Sequence, residues 1–213
     1  GGKNAQRHTS DQIQFNFIHN VTGMKTTVGG KIRTPYHSYG IYLDGYASST
    51  TIFGNLIQEA FLAAINVHGG QSNRVENNFI LNCPNRQFQI RPIGKGDPLY
   101  MRDNVFRRNS VVYTNLEAYL FYCPSSTWRK EILKECDFNL YWNGQESNVS
   151  QLKTPEEDFD QWRSIGFDQN SVISDPLFLN QQSENYELSR QSPALDLGIQ
   201  SIPVGRIGRK EFD

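Results

Sequence analysis

Residues 40–84 read GIYLDGYASSTTIFGNLIQEAFLAAINVHGGQSNRVENNFILNCP and carry one pattern twice. Each copy has a short apolar strand that ends in a polar residue and a glycine, followed by a second apolar segment with an asparagine: GIYLDG with TTIFGNLI, then AINVHG with NRVENNFI. The two copies differ most at Asp44 and His68. Repetition at a fixed period is typical of solenoid proteins, in which each repeat buries its apolar face against the next.

Asparagines mark further copies of the pattern. Aligning FNFIHN, FGNLIQ, ENNFIL, RDNVFR and DFNLYW gives a series at Asn16, Asn55, Asn78, Asn104 and Asn139. The middle three are 23 and 26 residues apart, whereas the outer gaps of 39 and 35 residues require inserted loops. We expect the aligned side chains to form a hydrogen-bonded ladder in a turn.

A second strand precedes each asparagine segment in GIYLDG, AINVHG, QFQIRPI and AYLFYCP. Apolar residues alternate with polar ones in these strands, as expected of half-buried β-structure; they are Ile41 and Leu43, Ile65 and Val67, and Phe88 and Ile90. Short strands that repeat every 23 to 26 residues predict an all-β fold, a parallel β-helix whose coils stack about 4.8 Å apart.

Other repeat and sheet architectures fit less well. Leucine-rich repeats need an L-x-x-L-x-L frame, which is absent, and helical repeats need a 3.6-residue apolar period, which these coils lack. A β-sandwich would need two-residue turns such as Asp44-Gly45 between hairpin strands, and the repeats mostly lack them.

The chain changes character after residue 144. The stretch TPEEDFDQWRSIGF predicts a short amphipathic α-helix with Thr154 as N-cap, Pro155 at the first position, Glu157 as the acid of a capping box and an end at Gly166. Its apolar face would hold Phe159, Trp162 and Ile165. We expect the extended segments that follow to cover the C-terminal end of the solenoid, because an uncovered last coil exposes its core and strand edges.

These features divide the chain into β-helix coils at 1–144 and a helix with a capping segment at 145–213, within one structural domain. A net charge of -1 and a pI of about 6.5 argue against nucleic-acid partners. The sequence has no apolar run long enough for a membrane span. Its three cysteines, in no zinc-binding spacing, predict buried thiols and no metal site.

Several segments together resemble a known family: YGIYLDGYASSTTIFGN, VHGGQSNRVENNFI, VFRRNSVVYTN, FNLYWNGQ and YELSRQSPALDLGIQSIPVGRIG. They are similar to the C-terminal half of secreted bacterial right-handed parallel β-helix proteins, a pectate-lyase-like solenoid group that includes glycoside hydrolases of the α-L-fucosidase/xylanase type. The resemblance implies a secreted, periplasmic or cell-surface protein that acts on a polysaccharide or oligosaccharide. It also implies further N-terminal coils, so we expect such coils, a second chain or residues 1–10 to cover the open end.

The register of the repeated strands predicts a site. If Ile41, Ile65 and Phe88 point inward, two rows point outward, about 5 Å between neighbours. The first row is Tyr42, Asn66 and Gln89, which we expect to bind sugar hydroxyls, and the second is Asp44, His68 and Arg91. A carboxylate, an imidazole and a guanidinium at this spacing can perform acid–base chemistry, although they can equally form a surface charge pair worth under about 1 kcal/mol.

The leading hypothesis is a glycoside hydrolase acting on a plant or microbial polysaccharide. The positive charges of His68 and Arg91 would keep Asp44 ionised as a nucleophile or general base. A hydrolase needs a second carboxyl group about 5 to 9.5 Å away. The neighbouring sequence offers only Asp11, so that acid belongs to absent coils or to a loop.

Two alternatives remain open. A polysaccharide lyase on the same fold would remove the proton α to a uronate carboxylate and stabilise the enolate with Ca²⁺ or arginine. A non-catalytic carbohydrate-binding segment would need no second carboxylate. In either case the insert TTVGGKIRTPYHSYG (26–40) is expected to wall the groove and place Tyr36 and His37 against substrate, with Lys95 and Asp97 at the rim.

Overall fold

The structure, a computed structural model, describes residues 11–93, 97, 99–144, 152–156 and 158–207. Predictions that concern residues 1–10, Lys95 and Glu157 lie outside these ranges. The strands that form the coils are β1 (Gln12–Gln14), β2 (Phe17–His19), β5 (Tyr39–Leu43), β6 (Thr51–Phe53), β7 (Leu56–Gln58), β8 (Ala63–His68), β10 (Arg74–Glu76), β11 (Phe79–Leu81), β12 (Arg86–Arg91), β14 (Asn104–Arg107), β15 (Ser110–Val112), β16 (Tyr119–Tyr122), β17 (Leu133–Asp137), β18 (Leu140–Trp142) and β19 (Val172–Ile173).

Shorter elements decorate the coils and the C-terminal segment. The remaining strands are β3 (Lys25–Thr26), β4 (Ile32–Arg33), β9 (Gly70–Gln71), β13 (Met101–Arg102), β20 (Phe178–Asn180) and β21 (Asn185–Leu188). The helices are α1 (Phe159–Ser164) and α2 (Pro193–Asp196), with 3₁₀ turns at Lys130–Ile132, Gln181–Ser183 and Val204–Arg206.

The predicted parallel β-helix is confirmed. Sheet 1 has the order β1-β6-β10-β14-β17, sheet 2 the order β2-β7-β11-β15-β18-β19, and sheet 3 the order β5-β8-β12-β16. Every pairing within these three sheets is parallel. One coil therefore takes one strand from each sheet in turn, and a side chain on any strand lies beside its counterparts in the coils before and after it.

An asparagine ladder runs through the turn between sheets 1 and 2, with one correction to the predicted series. Side-chain amides link Asn16 to Asn55 (2.8 Å), Asn55 to Asn78 (2.9 Å), Asn78 to Asn109 (3.1 Å) and Asn109 to Asn139 (3.1 Å). The fourth rung is thus Asn109 and not Asn104. Asn104 belongs to a second, shorter ladder, in which it accepts a hydrogen bond from the backbone of Asn73 (3.1 Å).

The short helix α1 is confirmed, but it begins later than predicted. Asp158 is its N-cap and accepts from the backbone of Gln161 at 2.7 Å, so neither Thr154 nor Pro155 starts the helix. Residue 153 instead bridges Tyr119 of β16, which holds Thr154 in extended chain beside sheet 3. The buried faces of Phe159 and Trp162 close the core beyond the last coils, with Trp162 stacked 5.4 Å from Phe121.

The segment after α1 covers a different surface from the one predicted. It packs along the outer face of sheet 2, where Leu56, Phe79 and Leu140 join Tyr186 and Ile202 in a second apolar cluster. The Tyr186 hydroxyl reaches back to Gln58 of β7 (3.0 Å). The outer face of sheet 2 is apolar, so it needs this cover along its flank, while α1 covers the end.

The first apolar cluster fills the inside of the coils and contains the predicted inward residues of sheet 3. The three cysteines are free and buried as predicted. Burial raises the pKa of Cys83 and of Cys123 to about 12, which keeps both thiols protonated. None of the described helices is long and apolar enough to cross a membrane.

Candidate functional site

The outer face of sheet 3 carries the predicted rows in the predicted register. Ile41 pairs with Ile65 and Ile65 with Phe88, and all three are buried inside the coil. One position along, Tyr42 pairs with Asn66 and Asn66 with Gln89. Two positions further along each strand lies the row of Asp44, His68 and Arg91. In this row His68 pairs directly with Arg91.

Asp44 and His68 form a hydrogen-bonded pair on this face. The His68 Nδ1 atom lies 2.8 Å from Asp44 Oδ1, and the same oxygen accepts from the backbone of Gly45 at 2.9 Å. The Tyr42 hydroxyl lies 3.2 Å from Asp44 Oδ1 and 3.1 Å from His68 Nδ1. The carboxylate thus orients the imidazole, and the phenol closes a three-membered cluster.

The electrostatics of the cluster agree with this geometry. The hydrogen bond from His68 lowers the pKa of Asp44, and the bonds from Tyr42 and Gly45 lower it further. Partial burial raises the pKa of Tyr42, as does the neighbouring carboxylate. Asp44 is therefore ionised and Tyr42 protonated at neutral pH. With His68 Nδ1 as the donor to Asp44, its Nε2 atom is left as an acceptor.

The row predicted to bind hydroxyls is in register, but two of its members are covered. Tyr42 is 43% exposed, whereas Asn66 and Gln89 are 0% and 1% exposed. Both amide atoms of Asn66 and the Gln89 nitrogen have no hydrogen-bond partner among the described residues. Packing between neighbouring coils buries the Asn66 and Gln89 side chains, an effect that alternation along a single strand cannot predict.

Arg86 is a site residue that sequence reasoning missed. Its guanidinium lies 3.7 Å from the centre of the Tyr122 ring and donates to the Gln89 side chain. Arg86 pairs with Tyr119 across the sheet, and Tyr119 contacts Tyr122 edge-on at 5.2 Å. Extending the Tyr42 row by one coil to the AYLFYCP strand would have found Tyr122, but not Tyr119 or Arg86, which share a different row.

Tyr36 and His37 lie apart from the Asp44 row. They pack on each other at 4.8 Å, and Lys25 lies over the Tyr36 ring at 5.2 Å, within the insert that holds the β3–β4 hairpin. The insert enters β5 at its first residue, whereas Asp44 follows its last, so about 17 Å of strand separates them. A role in substrate binding stays a prediction for both residues.

Asp44, directly after β5, is the one acid among the outward positions of sheet 3 in the described chain. The described residues hold no group of three or more His, Cys, Asp or Glu side chains that could bind a metal ion. The donor set on this face, one carboxylate among cations and phenols, does not match the several oxygen ligands that Ca²⁺ takes.

Comparison with known proteins identifies fungal relatives over about half of the chain. The chain is 32% identical over 117 residues to pectin lyase A of Aspergillus niger, a match that covers 53% of the chain and 27% of the relative. It is 29% identical over 119 residues to a probable pectin lyase A of Neosartorya fischeri, covering 55% of the chain and 29% of that relative. No family model and no solved structure matches.

The chain therefore spans somewhat over a quarter of the length of the curated relatives it matches. Their fungal sources give no support to the bacterial origin expected from the sequence, and the comparisons give none to the resemblance to the α-L-fucosidase/xylanase type. Taken with the parallel coils and the ladder, the similarity to pectin lyases supports one coarser statement: the chain has a pectate-lyase-like parallel β-helix fold.

Proposed function

We propose that this chain carries a polysaccharide-cleaving site that acts on pectin-like uronan by β-elimination. The observation that carries the proposal is the His68–Asp44 pair, 2.8 Å between Nδ1 and Oδ1, placed beside Arg91 on an open sheet face. The relatives named pectin lyase favour this lyase alternative over the glycoside hydrolase that the sequence first indicated.

His68 is the general base of the proposed reaction. A β-elimination begins with removal of the proton on the carbon α to the uronate carboxyl group, and a histidine held by a carboxylate is suited to this at neutral pH. Asp44 accepts a hydrogen bond from the Nδ1–H group and stabilises the imidazolium that forms when Nε2 takes up the proton. Asp44 is then a positioning residue and not the nucleophile or base of the earlier hypothesis.

Arg91 binds the carboxyl group next to the acidic proton. It is paired with His68 across the sheet, so its guanidinium can reach a group held over Nε2. As negative charge moves from the carbon to the carboxyl oxygens, the fixed positive charge stabilises the enolate. Guanidinium geometry matches a carboxyl group through two parallel hydrogen bonds.

Tyr42 supplies the proton for the leaving group. The electrons of the broken C–H bond form a carbon–carbon double bond, the adjacent C–O bond breaks, and its oxygen leaves as the hydroxyl of the shortened chain after taking up a proton. The Tyr42 residue is 43% exposed, and its hydroxyl contacts His68 Nδ1 and has a raised pKa, so it is protonated.

Hydrolysis fits this face less well. A retaining or inverting glycosidase needs two carboxyl groups about 5 to 9.5 Å apart. Asp44 is the one acid among the outward positions of sheet 3 in the described chain, and hydrogen bonds from three groups already lower its pKa. A lyase needs a base and a cation instead, and both are present in the row.

The test is to incubate the purified chain and its His68→Gln variant with pectin and with polygalacturonate. Both the ultraviolet absorbance of the unsaturated product and the release of reducing ends would be followed. A lyase produces both signals, and His68→Gln loses them. Reducing ends without absorbance would assign a hydrolase. Binding without either signal would assign a non-catalytic carbohydrate-binding segment, the remaining candidate for a chain that spans a quarter of its relatives.

Secretion and a partner for the open end of the solenoid belong to the same proposal. A pectin-like polysaccharide is an extracellular substrate, so a chain that cleaves it would be secreted. In the part of the chain that the structure describes, the strands of the first coil, β1, β2 and β5, have a neighbour on one side only. We infer that further coils or a second chain pair with them, since exposed strand edges otherwise aggregate.

A further inference from the structure

A cavity of about 400 Å³ lies on the same face, beyond the last strand of sheet 3. Every described side chain that lines it is uncharged, and the main ones are Tyr119, Tyr122, Pro124, Ser125, Ser126 and Thr154. Hydroxyl groups and two aromatic rings are the side chains that bind sugar hydroxyls and sugar faces. The composition of the lining therefore fits an uncharged sugar unit.

The cavity continues the row of Asp44, His68 and Arg91. Tyr122 pairs with Gln89, so Pro124, two residues further, lies beside Arg91 in the next coil. Lys153 bridges Tyr119, which places Thr154 one coil beyond that. Thr154 lies three strand spacings from β8, about 14 Å along the solenoid axis, and is level with Leu120, about 13 Å along the strand direction from the His68 row. A polysaccharide chain that crosses the face obliquely from His68 reaches Thr154 over roughly 20 Å, a few sugar units.

The buried hydroxyl of Thr154 also points to a ligand in the cavity. It is 6% exposed, and its hydroxyl has no hydrogen-bond partner among the described residues. A buried hydroxyl without a partner destabilises the fold, so its presence needs a reason other than packing. A ligand hydroxyl or ester oxygen in the cavity would give it a partner.

The cations nearest to the cavity are already engaged. Arg86 lies on the Tyr122 ring and donates to Gln89. Lys153 is ion-paired with Glu117 and lies 5.9 Å from the centre of the Tyr119 ring. The charge of Arg129 also reaches Cys123 in the lining, and its guanidinium donates to the Trp128 carbonyl. None of the described lining residues is a cation that could neutralise a carboxylate inside the cavity, which favours an uncharged unit over a uronate anion at this position.

We propose that this cavity is a sugar subsite for an uncharged unit, such as an esterified uronate, bound roughly 20 Å across the face from the unit at His68. The inference rests on the proposed function for its ligand class. It assigns Thr154 and Ser126 to substrate binding and leaves the chemistry to the His68 row.

The experiment is calorimetric titration of the whole chain with a methyl-esterified galacturonate hexamer and with its de-esterified counterpart. Thr154→Val and Ser126→Ala are expected to weaken binding of the esterified hexamer by about three- to tenfold each, the effect of one lost hydrogen bond, and that of the acid hexamer less. Ser183→Ala, in the exposed Gln181–Ser183 turn of the C-terminal segment, is the control and keeps wild-type affinity.

Thermal unfolding separates a binding role from a structural one. Because the Thr154 hydroxyl has no partner in the fold, Thr154→Val should melt at the same temperature as the wild type or higher, while binding more weakly. A lower melting temperature with unchanged binding would overturn the subsite, as would an equal loss for both hexamers. If both cavity variants bind as the wild type does while His68→Gln still abolishes cleavage, the subsite fails and the proposed function stands. A wild-type chain that binds neither hexamer overturns both.

Discussion

The Asn78 side chain donates to Asn109 Oδ1 at 3.1 Å, although 31 residues separate them in the chain. The same Oδ1 atom also accepts from the Asn78 backbone at 3.0 Å, and Asn109 in turn donates to the carbonyl of Val75. Each rung thus satisfies backbone groups of the coil before it as well as the side chain. The ladder fixes the vertical alignment of the coils, on which the rows of sheet 3 depend.

Replacing an interior rung should cost far more than replacing the exposed one. Asn109→Ala leaves the buried backbone N–H of Asn78 without its acceptor and removes the side-chain hydrogen bonds from Asn109 to Val75 and Asn139. We expect a loss of about 3 kcal/mol or more in the free energy of unfolding. Asn16→Ala, at the exposed end of the same ladder, should cost under about 1 kcal/mol because water replaces the lost contacts. Urea denaturation of both variants measures the difference, and similar losses would argue against a cooperative ladder.

How far the sequence predicts the ladder depends on the inserts. Both RDNVF and RRNSV fit the asparagine pattern, so the position of the fourth rung depends on how many residues the third coil contains. The chain between β12 and β13 and the β9–β13 pair lengthen that coil, and the rung moves from Asn104 to Asn109. A period read from the chain alone cannot distinguish the two, because the extra residues leave the strand pattern unchanged.

In the site, too, features set within one strand follow from the sequence pattern, whereas features set by contacts between coils do not. The register of the Tyr42 row and the pairing of His68 with Arg91 follow from the repeated strands, because alternation within a strand fixes which side chains share a face. The burial of Asn66 and the stacking of Arg86 on Tyr122 arise between coils. Sequence spacing alone therefore identified the row but not the neighbours that cover it.

Asp44→Asn should lower the rate of cleavage by roughly 10²- to 10⁴-fold with little change in stability. The amide can donate a proton towards His68 Nδ1, which favours the tautomer with the proton on Nε2 and so blocks the base. Initial rates of unsaturated-product formation measure the effect. Asp160→Asn, on the exposed side of α1, serves as the matched control. Full activity in Asp44→Asn would remove Asp44 from the mechanism.

Glu76 should make the fold sensitive to acid. Burial acts to raise the pKa of this carboxyl, but contacts with Arg107 and Arg74 outweigh it and lower the pKa. The stabilisation is therefore present above the ordinary glutamate pKa of about 4.3 and is lost as the pH falls through the lowered value in the folded state. Thermal unfolding across this range should show a flatter acid limb for Glu76→Gln than for the wild type.

The control for Glu76→Gln is Glu131→Gln, an exposed glutamate in the Lys130–Ile132 turn. It should keep the acid limb of the wild type. Identical limbs for the wild type and Glu76→Gln would show that the arginine contacts add no stability, as is common for ion pairs at protein surfaces.

Asp168 should produce the opposite slope. It is fully buried and accepts from Trp162 (2.7 Å), Tyr141 (2.9 Å) and Asn139 (3.1 Å), yet burial raises its pKa. The folded state therefore holds its proton more tightly than the unfolded state, so stability falls as the pH rises from about 3.9 through the raised value. Asp168→Asn removes this titration, and the difference between the wild-type and variant unfolding curves should slope downward with pH. The variant should also be less stable at every pH, by about 1–3 kcal/mol, because its amide must turn a donor toward the surrounding donors. A difference that does not change with pH would show that Asp168 does not titrate in the folded protein over this range.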